Sequence, residues 1–254
     1  MIAALLLAHP ALAKRRKTPP RPDTIWVAGE RFPAPRADAE RVLLIGDSNF
    51  FGPLGHTLRK AFARKGYHVR IRGKPSSGLA RPEFFDWFAE SEQLIAEFKP
   101  TLVIAMLGAN DVQRLTWPQL GDRIQWSEVA RWRRAYAGRY REFARFLAAR
   151  VPEVVLLSPT NRGWDNAREA VTRVREEQRR AVQGLPGVHW VDMFPLSSDE
   201  HGSWLRSGAS ESGKRIWYRQ PDRIHLTRDG GKLVGARLLE TLGHMDLRVS
   251  AHSR

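Results

Sequence analysis

Hydrophobic residues in this chain fall into short aliphatic runs separated by longer stretches of helical period. The runs are Val42 to Ile45, His68 to Ile71, Leu102 to Met106, Val154 to Leu157 and Val188 to Val191. The most apolar of them have the length and branching of a strand buried on both faces. Between the runs the period becomes that of an amphipathic helix. The clearest stretch begins near Ser127: Val129, Trp132, Tyr136, Phe143 and Leu147 share one face, while Arg131, Arg133, Arg134, Arg141 and Arg145 fall elsewhere and read as a solvated face. A second helix is expected over about Asn166 to Gln183, burying Ala170, Val171, Val174 and Ala181 and stopping at Gly184. A last helix starts near Thr227 as its N-cap and carries Leu233, Val234, Leu238 and Leu242. Five strands alternating with helices predict a parallel five-stranded sheet with right-handed crossovers. The fold class is α/β, a three-layer α/β/α sandwich of flavodoxin-like type. One segment breaks the alternation. Leu196 to Gln220 is rich in Ser and Gly and reads as a loop, yet its Trp204, Trp217 and Tyr218 predict that part of it packs or binds.

The first run stops at Gly46-Asp47-Ser48-Asn49, just before Gly52-Pro53, which looks like a helix start. In open parallel sheets ligands bind outside the carboxyl ends of the strands, so these polar residues stand where chemistry is done. A serine hydroxyl is a poor nucleophile at neutral pH and needs a base, itself oriented by a third group. Of eight histidines, His225 has the suggestive setting: "PDRIHLT" places Asp222 three residues before it. On a turn that spacing lets the carboxylate bond the imidazole ring. Acyl transfer also needs donors aimed at the oxygen that becomes negative. Asn110 in "LVIAMLGAND", the N–H of Gly78 in "KPSSGLARP" and the N–H of Ser48 are the candidates. Each residue also has a purely structural reading: Ser48 as a turn or cap residue, Asn110 as an Asx turn, Gly78 as a left-handed glycine, and Asp222 with His225 as a surface cap. Asp47 and Asp111 are expected to hold loops through backbone bonds. His56, His68, His189, His201 and His244 read as structural or exposed. Asp192, ending the fifth run, is the fallback partner for a histidine if Asp222 turns away.

The four blocks, GDSN at Gly46 to Asn49, the Gly78 segment, GAND at Gly108 to Asp111 and DRIH at Asp222 to His225, resemble in order and spacing the signature blocks of the SGNH hydrolases, also called the GDSL esterase/lipase superfamily. "SSGLARPEFFDWF" and "MLGANDVQ" further resemble a bacterial envelope branch of it. The resemblance implies a flavodoxin-like SGNH fold with Ser48 as nucleophile, His225 as general base and Asp222 as orienting acid. It also implies an oxyanion hole of the Ser48 N–H, the Gly78 N–H and the Asn110 side chain. Asn49 departs from the leucine of the GDSL name and adjoins the chemistry, as a candidate substrate contact. No G-x-S-x-G elbow is present, which separates the chain from the α/β-hydrolases.

Composition sets the remaining bounds. The chain has 254 residues and no cysteine, which excludes disulfides, thiolate catalysis and cysteine zinc sites. H-E-x-x-H, Walker and G-x-G-x-x-G motifs are missing, and the expected mechanism needs neither cofactor nor metal. Residues 1 to 13 are apolar up to Ala8, end in Ala11-Leu12-Ala13 and are followed by "KRRK", the pattern of an export signal too short to span a bilayer. Lys14 to Arg36 carry seven bases against two acids and read as a basic, Pro-rich, disordered tether. The catalytic domain is expected over 37 to 245, with a tail over 246 to 254. Net charge is +15, which favours polyanions, although only eight of the 42 bases are lysine and scattered arginines commonly form a solvated face.

These readings converge on a serine esterase without a cofactor. If exported to the periplasm or beyond, rather than kept in the cytoplasm, it is expected to act on an O-acylated envelope polysaccharide or peptidoglycan. Trp164, Trp204 and Trp217 are then candidate sugar-stacking surfaces, or else loop-packing residues. An O-acyltransferase using the same triad is the first alternative. A non-catalytic binder of anionic polymer is the second, and no nucleic-acid motif supports a specific nucleic-acid partner.

Overall fold

The structure, a computed structural model, describes residues 24 to 163, 167 to 245 and 247. It opens with an antiparallel hairpin of β1 (Thr24–Val27) and β2 (Glu30–Pro33). The reading of this stretch as an extended tether is corrected here. Val27 and Phe32 are buried against Ala63, and Glu30 pairs with Lys60 at 2.6 Å and Arg64 at 2.8 Å. The apolar pair and the ion pairs give the hairpin a surface to dock on, which a Pro-rich composition does not reveal. Residues 1 to 23, with the export segment and the start of the tether, lie outside the described residues, as do Asp246 and 248 to 254 of the tail.

The strands β3 (Arg41–Gly46), β4 (His68–Gly73), β5 (Leu102–Met106), β6 (Glu153–Leu157) and β7 (Val188–Val191) form one parallel sheet in the order β4-β3-β5-β6-β7. Successive side chains of a strand point to opposite faces, so each buried strand feeds two layers. Leu43, Ile45, Val103, Ala105, Val154 and Leu156 pack under α2 (Trp87–Phe98), α3 (Val129–Ala148) and α4 (Ala167–Val182). Val42, Leu44, Ile104, Val155 and Leu157 pack under α1 (Gly55–Arg64), α5 (Met193–Leu196) and α6 (Arg228–Gly243). Val42 to Ile45 are fully buried. Burial on that scale contributes roughly 1.5–3 kcal/mol for each large side chain.

Local signals set the helix ends. Asp86 caps α2 by accepting from the N–H of Phe88, Thr227 caps α6 by accepting from Gly230, and Gly184 follows α4 at φ +74°. Two features of the α3 reading are corrected. Val129, its first residue, projects past the core edge and is 41% exposed. The arginines are not all solvated: Arg133 pairs with Glu176 and Glu177, and Arg141 donates to the Ala181 carbonyl, so both tie α3 to α4. Arg131, Arg134 and Arg145 are exposed as expected. Leu196 to Gln220 is only partly loop, since β8 (Ser207–Ala209) and β9 (Arg215–Trp217) form a hairpin inside it. A bridge from Arg219 to Leu226 sets that hairpin alongside the turn before α6.

Candidate active site

Register brings Gly46, Gly73 and Met106 to one rim of the sheet. A Cβ on Gly46 would lie 2.6 Å from the Met106 carbonyl and 2.8 Å from Phe50 Cβ, so only glycine lets the chain turn this tightly off β3. It passes through a π-helical turn, Phe50–Leu54, into α1. Asp47 Oδ1 accepts from the N–H of Asn49 at 2.9 Å, and the Asp47 carbonyl accepts from Phe51. Ser48 is left half-buried at the rim.

The turn before α6 brings His225 to it from 177 residues away, with Nε2 2.9 Å from Ser48 Oγ. Asp222 Oδ2 lies 2.6 Å from His225 Nδ1, while Oδ1 accepts from the N–H groups of Ile224 at 2.9 Å and His225 at 3.0 Å. A carboxylate only accepts, so Nδ1 carries the ring proton and Nε2 is free to accept from the Ser48 hydroxyl. Burial pushes the Asp222 carboxyl up, but the bonds from the His225 ring and the two N–H groups outweigh it and hold the pKa below the usual carboxylate range. Asp192, the fallback partner, is used elsewhere: it caps α5 through the Phe194 N–H and pairs with Arg175.

The segments that follow β4 and β5 are tied to each other. Asn110 Nδ2 donates to the Ser77 carbonyl at 2.9 Å, which places the amide at the Ser77–Gly78 peptide. Beneath it, Asp111 accepts from the Ala80 N–H at 2.9 Å and from the Tyr136 hydroxyl at 2.8 Å. Gly78 is not left-handed. It is glycine because a Cβ there would sit 2.0 Å from Asp111 Oδ1. Asn49 is 5% exposed, so it offers a substrate little surface, which corrects its reading as a substrate contact. Trp204 lies over Gly163 and, with Trp217, lines a cleft of about 630 Å³ that also includes Arg206, Arg219, Gln220, Pro221, Arg223 and Thr227. Trp164 lies outside the described residues.

Sequence reasoning missed two buried arginines under the site. Arg219, 3% exposed, donates to the carbonyls of Ile224 and Asn161 and so fixes the His225 turn to the segment after β6. Burial and the neighbouring Arg162 push its pKa down to about 10, against the pull of Asp222. Arg162 donates to the Ala109 carbonyl at 2.9 Å. Its place just past a strand end, in "SPTNRGW", was the available signal; Arg219 had none.

Asp47 is fully buried, and its Oδ2 has no hydrogen-bond partner among the described residues. Burial pushes its carboxyl from 3.8 up to about 7; the Asn49 N–H and Arg162 oppose this, Asp111 adds to it and His225 opposes it. Between about pH 4 and 7 the folded chain therefore holds a proton that the unfolded chain has lost. This contribution to stability is full below about pH 4 and is lost as pH rises to about 7. Asp47→Asn, which keeps the Oδ1 acceptor, is expected to remove a slope of at most about 1.4 kcal/mol per pH unit from that window. Denaturant unfolding at several pH values checks this, and an unchanged slope would show Asp47 ionised throughout.

A family model described as "Protein of unknown function (DUF459)" matches residues 41–241. No curated protein matches the chain. Among solved structures, a catalytic mutant of an acetylxylan esterase from Geobacillus stearothermophilus is 17% identical with a TM-score of 0.54, the match covering 85% of this chain and 97% of that one. A GDSL-like lipase from Bacteroides thetaiotaomicron is 16% identical with a TM-score of 0.53, over 82% of this chain and 90% of that one. An α/β hydrolase enzyme from the metagenome of Lake Arreo, Spain, is 18% identical with a TM-score of 0.54, over 80% and 95%.

Proposed function

The chain belongs to the DUF459 family and has the SGNH hydrolase fold, and from that footing we propose that it is a serine esterase cleaving O-acyl esters through an acyl-enzyme on Ser48. The observation that carries the proposal is the unbroken relay from Ser48 Oγ to His225 Nε2 at 2.9 Å and from His225 Nδ1 to Asp222 at 2.6 Å. Ser48 Oγ attacks the ester carbonyl while His225 Nε2 takes its proton, and Asp222 stabilises the imidazolium that forms. The Ser48 and Gly78 N–H groups and the second N–H of the Asn110 amide serve the oxyanion. His225 returns the proton to the departing alcohol. A water activated by His225 then cleaves the acyl-enzyme and releases the acid.

The side chains of His225 and Asp222 are 36% and 41% exposed, which gives water access and favours hydrolysis over acyl transfer. For the substrate, an O-acetylated envelope glycan is supported by the aromatic cleft beside the turn and by the apolar, export-like segment at residues 1 to 13. The test is labelling with a fluorophosphonate and pre-steady-state release of p-nitrophenol from its acetate. One label per chain on the Ser48 peptide, with a burst followed by turnover, is the expected result. A burst without turnover would replace hydrolysis by transfer to an acceptor. Neither label nor burst would leave a binding protein.

A further inference from the structure

The cleft beside the catalytic turn differs from the other base-rich clefts of the molecule. Where α1 and α6 meet, Lys60 and Arg64 face Glu30, and Lys232 pairs with Asp229. Between α3 and α4, Arg133 and Arg180 share Glu177. In those clefts the paired bases are already met by carboxylates of the fold. Among the described residues, the cleft lined by Trp204 and Trp217 has three arginines in its lining and no acid. Arg219 spends its guanidinium on backbone carbonyls, but the guanidinium groups of Arg206 and Arg223 make no hydrogen bond or ion pair with the described residues. Arg206 and Arg215 flank the Trp217 ring at 5.3 and 5.5 Å, and that ring is 46% exposed. Arg223 has φ +61°, a backbone conformation that favours glycine or asparagine, so an arginine there is held at a local cost.

An occupant of this cleft must offer a ring face to tryptophan and an anion to arginine. Arginine pairs bidentately with carboxylate or phosphate. Position adds a third condition. Arg223 is two residues from His225, so their Cα atoms are at most about 7.6 Å apart, the span of one or two sugar rings. Sugar hydroxyls carry acyl esters, whereas the bases and phosphates of a nucleic acid do not present one to Ser48. We propose that the cleft binds an acid-bearing sugar, carboxylated or phosphorylated, adjacent to the acylated sugar of the substrate. This rests on the esterase reading of Ser48.

The test reads binding separately from hydrolysis. Intrinsic tryptophan fluorescence and calorimetry at physiological ionic strength follow a galacturonate trisaccharide, a phosphorylated trisaccharide and a neutral trisaccharide, none esterified. At least one acidic ligand is expected to bind tenfold or more tightly than the neutral one, and which of them does so separates carboxylate from phosphate. The Arg206→Gln/Arg223→Gln variant is expected to lose that affinity tenfold or more. The charge-matched control Arg131→Gln/Arg134→Gln, on the outer face of α3, is expected to retain it. Equal binding of acidic and neutral ligands, or equal loss in both variants, would overturn the proposal, the second by revealing a general charge effect. An oligonucleotide that binds more tightly than either acidic sugar, through the same two arginines, would overturn it in favour of a nucleic-acid site. If this pattern holds while no ester is hydrolysed, the esterase reading falls and the anion site stands. If esters are hydrolysed and the pattern is missing, only the anion site falls.

Discussion

Ser48→Ala is expected to lower the steady-state rate of p-nitrophenyl acetate hydrolysis by about 10,000-fold or more, with no loss of folding. The magnitude follows from how a triad works: its members act as a unit, and losing the nucleophile leaves only the rate enhancement of the oxyanion donors and of binding. Folding is spared because, among the described residues, the Ser48 hydroxyl bonds only to His225, and both side chains reach solvent. The turn itself is held by Asp47, whose carboxylate and carbonyl accept from the N–H groups of Asn49 and Phe51. The measurement is a rate with a matched thermal melt. A variant retaining a tenth of the wild-type rate with an unchanged melting temperature would reduce Ser48 to a turn residue.

Gly78→Ala is expected to damage stability and catalysis together. The added methyl would meet Asp111 Oδ1 at 2.0 Å, Cγ at 2.7 Å and Oδ2 at 3.0 Å, so the carboxylate must move. Asp111 is fully buried and bonded to the Ala80 N–H and the Tyr136 hydroxyl, so moving it strains the core and loosens both bonds. Overpacking of this kind costs about 1–3 kcal/mol, and an unmade buried hydrogen bond costs a similar amount. The Gly78 N–H and the neighbouring Asn110 amide then lose their aim, and misplacing one oxyanion donor costs about 100- to 1,000-fold in kcat. Gly138→Ala is the control. Gly138 lies in the exposed interior of α3 with nothing within 4 Å of a Cβ, so the same methyl there is expected to stabilise the fold by about 0.5–1 kcal/mol. If Gly78→Ala melts and turns over like the wild type, neither the close approach of Asp111 nor the role of this peptide holds.

Much of the fold was legible because its signals are local. Five aliphatic runs became the five strands of one parallel sheet, since residues such as Val42 to Ile45 have no polar face to offer solvent. Thr227 and Gly184 marked helix ends through short-range backbone chemistry. The hairpin at Thr24 to Pro33 was not legible, because its stability comes from Ala63, Lys60 and Arg64, about 30 residues on. The bonds of Arg133 and Arg141 to α4 escaped for the same reason.

The sequence by itself determined which residues stand at the strand ends: Ser48, Gly78, Asn110 and, before the last helix, Asp222 and His225. Strand propensity and turn chemistry operate over a few residues, and they place those blocks on one rim. Only the tertiary structure decided that His225 reaches Ser48 across 177 residues, and that Asp222 rather than Asp192 orients it. It alone placed Arg219 beneath the turn and left Arg206 and Arg223 in a cleft with no acid among its described lining residues. Those outcomes depend on sheet order, on burial and on which charges meet across the fold, and none of these is encoded in any short stretch of chain.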